Sequence, residues 1–215
     1  MRITLLTLVL AFIVVSGSAH AAAIGQLEKE HVESEHAETE QAGKERAEFG
    51  YLLGAGVMTL DDPDGATGAE FVLQPFALVY TARIRGSWRH WLELYYQQAT
   101  FDASLGRIGE EMTRFGMRLS LQKYLMIAAG FTPRIGAGFD ISRSNYANRY
   151  TVDSDGFLAG RFADRSGTDV NVLVNVLNEW AWSKNRSVHA KLEYLSPIGG
   201  EVSSLSASLA FLFRY

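Results

Sequence analysis

The feature that most constrains this chain is its last thirteen residues, 203–215, in which apolar and polar side chains alternate up to the final tyrosine, interrupted only by Ala210 and Leu212. Leu205 and Leu209 fall on one face of this stretch, whereas Ser204 and Arg214 fall on the other. A period of two residues predicts a β-strand with one apolar face and one polar face. A strand of this kind needs partners along both of its edges, and residues 50–60 are the expected partner on one side.

The N-terminus predicts export. Residues 1–21 contain Arg2, then an apolar run from Leu5 to Val15, then small residues ending at Ala21. This order is typical of a secretory signal peptide, so we expect cleavage near Ala21 and a mature chain outside the cytoplasm. The apolar run is shorter than the ~20 residues that a membrane-spanning helix needs. No later stretch reaches that length, so a mature chain that crosses a membrane would have to cross it as strands.

Residues 22–48 form a separate acidic segment, with eight glutamates between positions 24 and 48. It lacks the apolar stripe of a core helix, so we expect a linker or a solvated helix in the periplasm. His31, Glu35 and His36 could be drawn as metal ligands, but histidines scattered among glutamates on a polar helix give the same pattern. The chain has no cysteine, which excludes disulfides and thiolate sites. We predict no metal and no other cofactor.

From residue 49 onward the sequence consists of alternating segments separated by turn-like residues. In the clearest of them, Phe115 and Leu119 alternate with Arg114 and Arg118. Pro75 predicts a bulge or a position near a strand end. The pattern predicts an all-β fold, an eight-stranded antiparallel up-and-down transmembrane β-barrel that forms one domain, 49–215. The segments span about 50–60, 69–84, 88–101, 112–122, 133–142, 168–182, 187–196 and 203–215, with the connection in 123–132 left open.

An even number of strands places both ends of such a barrel in the periplasm, with short turns on that side and longer loops outside. The short connections near residues 85 and 184 are then periplasmic, and the longest loop, 143–167, is extracellular. All four tryptophans lie beside the two short turns, as expected for an aromatic girdle at a membrane interface. The predicted girdle consists of Trp88, Trp91, Trp180, Trp182, Phe213 and Tyr215.

Charged residues of both signs fall on the predicted inner face. An eight-stranded barrel is just wide enough to be filled by side chains, and buried charges need partners. The pattern therefore predicts a paired network that fills the lumen, and the alternative is a narrow conduit for ions or small solutes. The predicted lumen residues are Arg83, Glu93, Arg114, Arg118, Arg134, Asp140, Asp169, Glu179, Lys191, Glu193 and Arg214.

The stretch Thr132–Gly138, Thr-Pro-Arg-Ile-Gly-Ala-Gly, and the aromatic-ended last strand resemble the small eight-stranded outer-membrane barrels of the OmpX-like and OmpW-like group over about residues 49–215. In that group the last strand usually carries a glycine where this chain has Ser208 and Ala210. The resemblance implies an outer-membrane location and recognition of the last strand by the barrel assembly machinery. We expect a non-enzymatic monomer with a structural or surface-contact role through the loop 143–167.

Residues 187–196 also resemble a strand of the outer-membrane lipid A deacylase, which carries a His-x-Ser pair. Glu193 and Leu195 stand at those two positions here, and Ser196 falls on the opposite face. His189 lies ~20 Å from Ser196 along a strand, too far to act as its base. We therefore predict no enzymatic activity, with lipid A modification as an alternative.

The long loop offers two further candidate sites. Residues 153–156, Asp-Ser-Asp-Gly, look like part of a calcium loop but lack its later ligands, so we expect a turn. Arginines in the loop suit the phosphates of lipopolysaccharide, although simple surface solvation also explains them. These arginines are Arg143, Arg149, Arg161 and Arg165.

Alternation alone leaves open which face points inward. A soluble periplasmic barrel of lipocalin type would turn its apolar faces inward around a ligand. Two features of the sequence count against it: the small residues share a face with the charges, and the tryptophans cluster at one end. A net charge of −4 and a pI of about 5.7 do not indicate nucleic-acid binding.

Overall fold

The computed structural model describes residues 47–64, 68–125, 133–198 and 200–215, without the side chain of Pro75. The predicted signal peptide, the acidic segment up to residue 46 with its candidate ligands His31, Glu35 and His36, and the connection 126–132 lie outside the described residues. No helix in the described part of the chain is long and apolar enough to cross a membrane.

Antiparallel strands make up most of the described chain. They are β1 (Glu48–Leu60), β2 (Gly68–Arg85), β3 (Trp88–Phe101), β4 (Gly109–Tyr124), β5 (Arg134–Val152), β6 (Leu158–Arg161), β7 (Arg165–Ser183), β8 (Arg186–Pro197) and β9 (Val202–Arg214).

The strands close into a barrel. The hydrogen-bonded order is β4-β3-β2-β1-β9-β8-β7-β5, and β5 pairs again with β4. The first and last barrel strands are in full register, from Glu48 opposite Arg214 to Leu60 opposite Val202. The short strand β6 pairs with β5 and stands outside the ring. The predicted fold, a closed eight-stranded antiparallel barrel, is confirmed.

The outer surface of the barrel is apolar and the interior is polar. On β4, the side chain of Phe115 is 62% exposed, whereas that of the preceding Arg114 is 0% exposed. The same division continues along β5, where Phe139 and Ile141 are exposed and Asp140 is buried. A soluble barrel of lipocalin type would have the opposite arrangement. This one matches a barrel that is surrounded by lipid.

The backbone departs from the regular ladder at Pro75. Leu52 is paired with Ala77, whereas Gly54 is paired with Gln74, so two residues of β2 lie opposite Leu53. This is the β-bulge that the sequence predicts at Pro75.

Two predicted boundaries were wrong. The region 143–167 is not mainly a loop, because β5 continues to Val152 and β7 already begins at Arg165. Beyond the apolar outer surface both faces of these strands are polar, so the alternation of hydrophobicity disappears while the hydrogen-bonded ladder continues. At the other end of the sequence, β1 begins at Glu48, a residue that the sequence analysis assigned to the acidic segment.

Candidate functional site in the barrel lumen

Asp140 on β5 is the centre of a buried hydrogen-bond network at mid-height in the lumen. One carboxylate oxygen accepts from the Nη2 of Arg114 at 2.6 Å and from the Nδ2 of Asn171 at 3.1 Å. The other accepts from the hydroxyl of Tyr95 at 2.7 Å and the Nε of Arg118 at 3.1 Å. These donors come from three strands, β3, β4 and β7, so one carboxylate on β5 links four adjacent strands of the barrel wall.

The same network extends to two glutamates and a lysine. The Nζ of Lys191 contacts Glu93 and lies 2.9 Å from Glu193. The Nη1 of Arg118 lies 3.1 Å from Glu193, and the indole Nε1 of Trp91 donates to Glu93 at 2.6 Å. With Arg114 and Asp140, the network contains three cations and three carboxylates. Charge balance of this kind is what permits so many buried ions.

A second charged cluster lies at the end of the barrel that carries the β2–β3 and β7–β8 turns, here called the turn side. The Nη2 of Arg89 lies 2.7 Å from Glu48 Oε2, and the Nε of Arg214 lies 2.5 Å from Glu48 Oε1. Glu179 contacts Arg134 and Arg214. Sequence analysis missed Glu48 and Arg89 as members of this cluster. The available signal was parity, because Glu48 shares the inner face of β1 with the buried Leu52.

A serine, a histidine and a glutamate meet within the turn-side cluster, but not in a catalytic arrangement. Ser187 Oγ lies 2.9 Å from His189 Nε2, and Glu48 Oε2 lies 3.6 Å from that same nitrogen. A catalytic triad needs the carboxylate on the other ring nitrogen, and Nδ1 of His189 is buried without a partner in the structure. All three side chains are also closed off from solvent. This cluster is suited to holding strands together.

The same cluster has the geometry of a metal site, but it lacks the excess of negative charge that would bind a metal cation. Ligand atoms of Glu48, Glu179 and His189 lie within 4.8 Å of one another. The two carboxylates, however, are already paired with Arg89, Arg134 and Arg214, so three cationic side chains face two anionic ones. A divalent cation would add to this excess of positive charge. The donor set therefore fits arginine pairing better than metal binding.

A third charged cluster closes the opposite end of the barrel, here called the loop side. Arg149 on β5 lies 2.9 Å from Asp62 through Nη2 and 3.1 Å from Glu110 through Nε. Arg165 on β7 lies 2.9 Å from Asp62 and 2.5 Å from Glu201. The loop-side cluster thus connects the β1–β2 and β8–β9 connections to the ends of β4, β5 and β7.

The loop-side cluster corrects part of the predicted lipopolysaccharide site. Arg149 is only 4% exposed, and Arg165 is half-buried with its guanidinium over the ring of Tyr146. Both are committed to carboxylates inside the barrel wall, so neither is presented on the outer surface. Arg143 and Arg161 are exposed.

The loop-side carboxylates differ in acidity. They lie beyond the outward apolar residues Phe115 and Ile141, and so outside the part of the barrel with a lipid-compatible surface. Burial, and then the negative charge of Asp62, raise the pKa of Glu110 to about 7 against the opposing effect of the two arginines. Burial acts in the same direction on Asp62, but hydrogen bonds from the Asp64 backbone and from Arg149 prevail and hold the pKa of Asp62 below its ordinary value.

Two clusters of buried apolar and aromatic side chains pack beside the charged clusters in the lumen. Among the described residues, one small cavity lies beside Gly56, Val72, Gln74 and Arg118. The cluster toward the turn side consists of Leu52, Ala77, Val79, Trp91, Tyr95, Leu177, Ala210 and Leu212, and the cluster toward the loop side consists of Met58, Leu60, Val72, Ala99, Phe101, Met112, Tyr146 and Val202.

Three of the sequence-predicted site residues have other surroundings than expected. Arg83 is exposed at the end of β2 and makes no ion pair with the described residues, so it does not belong to the lumen network. Trp91 is 1% exposed and points into the lumen, so it is not part of an outer girdle. Asp169 is buried but bonded to the Ser144 hydroxyl at 2.6 Å instead of a cation.

The remaining predicted girdle residues lie on the outside at the turn side. Trp182 is 69% exposed, Trp88, Phe213 and Tyr215 are also exposed, and Trp180 is half-buried opposite Val188.

No family model matches this chain, and no curated protein matches it significantly. Among solved structures, the outer membrane protein OprG of Pseudomonas aeruginosa is similar with a TM-score of 0.51 and 12% identity, over 80% of this chain and 95% of that one. Ail, the attachment invasion locus protein of Yersinia pestis, is similar with a TM-score of 0.48 and 12% identity, over 79% of this chain and 99% of that one. Neisserial surface protein A is similar with a TM-score of 0.47 and 15% identity, over 77% of this chain and 95% of that one. The chain therefore has the architecture of the small outer-membrane barrels, as its sequence predicts.

Proposed function

We propose that this chain is a non-enzymatic integral protein of the outer membrane, exported by residues 1–21 and cleaved near Ala21. The observation that carries the proposal is the division between the two faces of the wall. Exposed apolar side chains cover the outside, while paired ions fill the inside. This arrangement has a low free energy in a bilayer, which solvates the apolar face and exposes no backbone edge of a closed barrel.

The fold likeness to OprG, which is described as an outer membrane protein, supports this location. The aromatic residues at the turn side support it as well, since Trp and Tyr are enriched where a membrane meets water. For assembly we propose recognition of β9 by the barrel assembly machinery, because this strand completes the closure with β1. The charge-paired lumen closes within a single chain, and we propose a monomer.

The absence of catalysis is supported by the one serine–histidine contact of the described lumen. Ser187, His189 and Glu48 are buried, and their hydrogen bonds converge on a single ring nitrogen. A hydrolase needs a nucleophile that its substrate can reach and a base oriented by its other nitrogen. Lipid A modification by this cluster is disfavoured on both grounds.

The biological role that we propose is surface contact through the hairpin formed by the end of β5, by β6 and by the start of β7. Phe157 and Leu158 are exposed at its tip. Arg143 projects outward directly above the apolar surface, two residues beyond Ile141, and Arg161 is exposed on β6. We propose that these two arginines contact the phosphates of lipopolysaccharide, since a guanidinium binds a phosphate through paired hydrogen bonds.

Detergent fractionation combined with a heat-modifiable gel shift tests the proposed location. We expect the chain to stay in the envelope fraction until detergent is added, and to migrate differently before and after boiling because the closed barrel resists unfolding by dodecyl sulfate. Release into aqueous buffer without detergent would contradict the proposal.

A further inference from the structure

Five exposed cations surround the turn side of the barrel. They come from three separate pairs of strand ends, so they are spread around the barrel instead of clustering on one strand. We call them the basic rim: Arg83, Arg85, Lys123, Lys184 and Arg186.

The acidic side chains of the described residues do not pair with the basic rim. At this end of the described chain the acidic side chains are Glu48 and Glu179, and both are held by arginines of the turn-side cluster. None of the five rim residues forms an ion pair with a described side chain. The loop side is different, because exposed acids accompany its exposed arginines there: Asp102, Glu111, Asp153, Asp155 and Asp164.

Aromatic side chains lie directly beside the rim cations. The Nζ of Lys123 lies 5.5 Å from the ring centre of Trp88, and the guanidinium of Arg186 lies 5.8 Å from that of Phe213. Trp182 is the most exposed of the tryptophans and precedes Lys184 by two residues. Aromatic rings occupy the headgroup level of a bilayer, and adjacent Lys and Arg side chains extend their charges toward the phosphates at that level.

We propose that the basic rim binds the phosphate groups of anionic phospholipids in the leaflet on the turn side. The proposal rests on the proposed membrane location and adds a lipid class to it. Five positive charges that lie at the height of the aromatic residues, without an ion-pair partner among the described side chains, attract anionic headgroups. A zwitterionic headgroup gains little because its own cation opposes the attraction. Each rim residue is then a separate headgroup contact along the circumference.

Tryptophan quenching by brominated lipids tests the proposal with the full-length protein. The three outward tryptophans, Trp88, Trp180 and Trp182, all lie beside the rim, so their quenching reports the lipids bound there. The barrel is reconstituted in equal mixtures of phosphatidylglycerol and phosphatidylcholine in which one or the other is brominated. We expect brominated phosphatidylglycerol to quench more strongly, with an association constant about fivefold higher at each contact. The preference should fall at high salt.

The variant R83Q/R85Q/K123Q/K184Q/R186Q should lose the preference. The loop-side variant R107Q should keep it, because Arg107 is an exposed cation of the connection between β3 and β4 that lies outside the proposed lipopolysaccharide site. If the variant with all five substitutions does not give the heat-modifiable band, the double variants R83Q/R85Q and K184Q/R186Q are compared with wild type. Each double variant should lose part of the preference for phosphatidylglycerol. Equal quenching by both lipids in wild type, as expected if the rim binds an acidic protein instead, would overturn the inference while leaving the membrane location intact. Failure of the wild-type protein to be quenched by either lipid would overturn the membrane location itself.

Discussion

Asp140 is the residue on which the central network depends, because it is the shared acceptor of Arg114 and Arg118. We expect D140N to lower the free energy of unfolding by about 3–5 kcal/mol, since it leaves two buried guanidinium groups with one negative charge fewer than they need. Urea unfolding of the refolded barrel in detergent measures this loss. D169N is the matched control, because Asp169 is buried but bonded to a hydroxyl. A similar loss in both variants would show that Asp140 has no special role.

Glu110 should make the stability of the loop side depend on pH. Its folded pKa of about 7 exceeds the ordinary value of 4.5, so the stability it contributes is complete below 4.5 and is lost as the pH rises to about 7. We expect the free energy of unfolding to decline across this window in wild type and to decline less in E110Q. The amide oxygen of E110Q can still accept from Arg149. E111Q, at the exposed neighbouring position, should behave as wild type, and an identical pH profile for E110Q would contradict the assignment.

Arg143 and Arg161 should contribute to lipopolysaccharide binding, whereas Arg149 should contribute to folding. We expect R143E/R161E to weaken binding about tenfold, if each lost contact contributes about 0.7 kcal/mol. A fluorescence titration of the folded barrel with lipopolysaccharide measures this change. R149Q is the comparison, and it should lower the unfolding free energy because Asp62 and Glu110 lose their shared cation. Unchanged affinity in R143E/R161E would remove these two residues from the proposed site.

The sequence correctly predicted which side chains point into the lumen where the prediction followed the alternation of residues along a strand. It failed where closeness to a turn or to a strand end was used instead. Trp91 has the same parity as Glu93, which places it in the lumen, yet its closeness to a turn suggested the outer girdle. Arg83 also has inward parity, but the barrel ends there and its side chain reaches solvent. The partners of Arg149 are more than thirty residues distant in sequence, at Asp62 and Glu110, and only the closed fold brings them together.

The closing seam between β1 and β9 is sensitive to side-chain size. A Cβ added at Gly50 would lie 1.9 Å from the backbone oxygen of Phe211, so the strands pack too closely there for any other residue. We expect G50A to abolish the heat-modifiable band, because the edges of β1 and β9 would no longer pair. G167A is the matched control on β7, where an added Cβ meets nothing within 4 Å. Normal folding of G50A would show that the seam can widen without opening.

Whole strands were predictable wherever lipid-facing and lumen-facing residues differ in polarity. The predicted and observed strands agree along β4, which has apolar outer residues and charged inner residues. The agreement fails beyond residue 142 on β5, because water surrounds the outer face there and Arg143 and Asn145 are as acceptable as apolar residues. The short strand β6, Leu158–Arg161, gave no signal because four residues contain too few alternations to distinguish a strand from a loop.

At the scale of the whole molecule, the alternation of apolar and polar residues could not predict which face of the strands points into the lumen. A barrel and its inside-out counterpart have the same period, and only closure through β1–β9 and β4–β5 shows which face encloses the lumen. Once the charged face is inside, each buried charge needs a partner of the opposite sign. In the central network three cations are matched by three carboxylates, and buried apolar clusters pack beside this network toward both ends of the described lumen.

A lumen filled in this way should not conduct. We expect the purified protein to insert into planar bilayers without discrete conductance steps, since an ion would have to displace both the paired charges and the apolar side chains packed beside them. Single-channel recording measures this directly, with a water-filled porin as the positive control and with insertion checked by the heat-modifiable band. Steps that recur with a fixed size in wild type, and that change in the D140N variant, would show that ions pass Asp140 and would support the alternative of a narrow conduit.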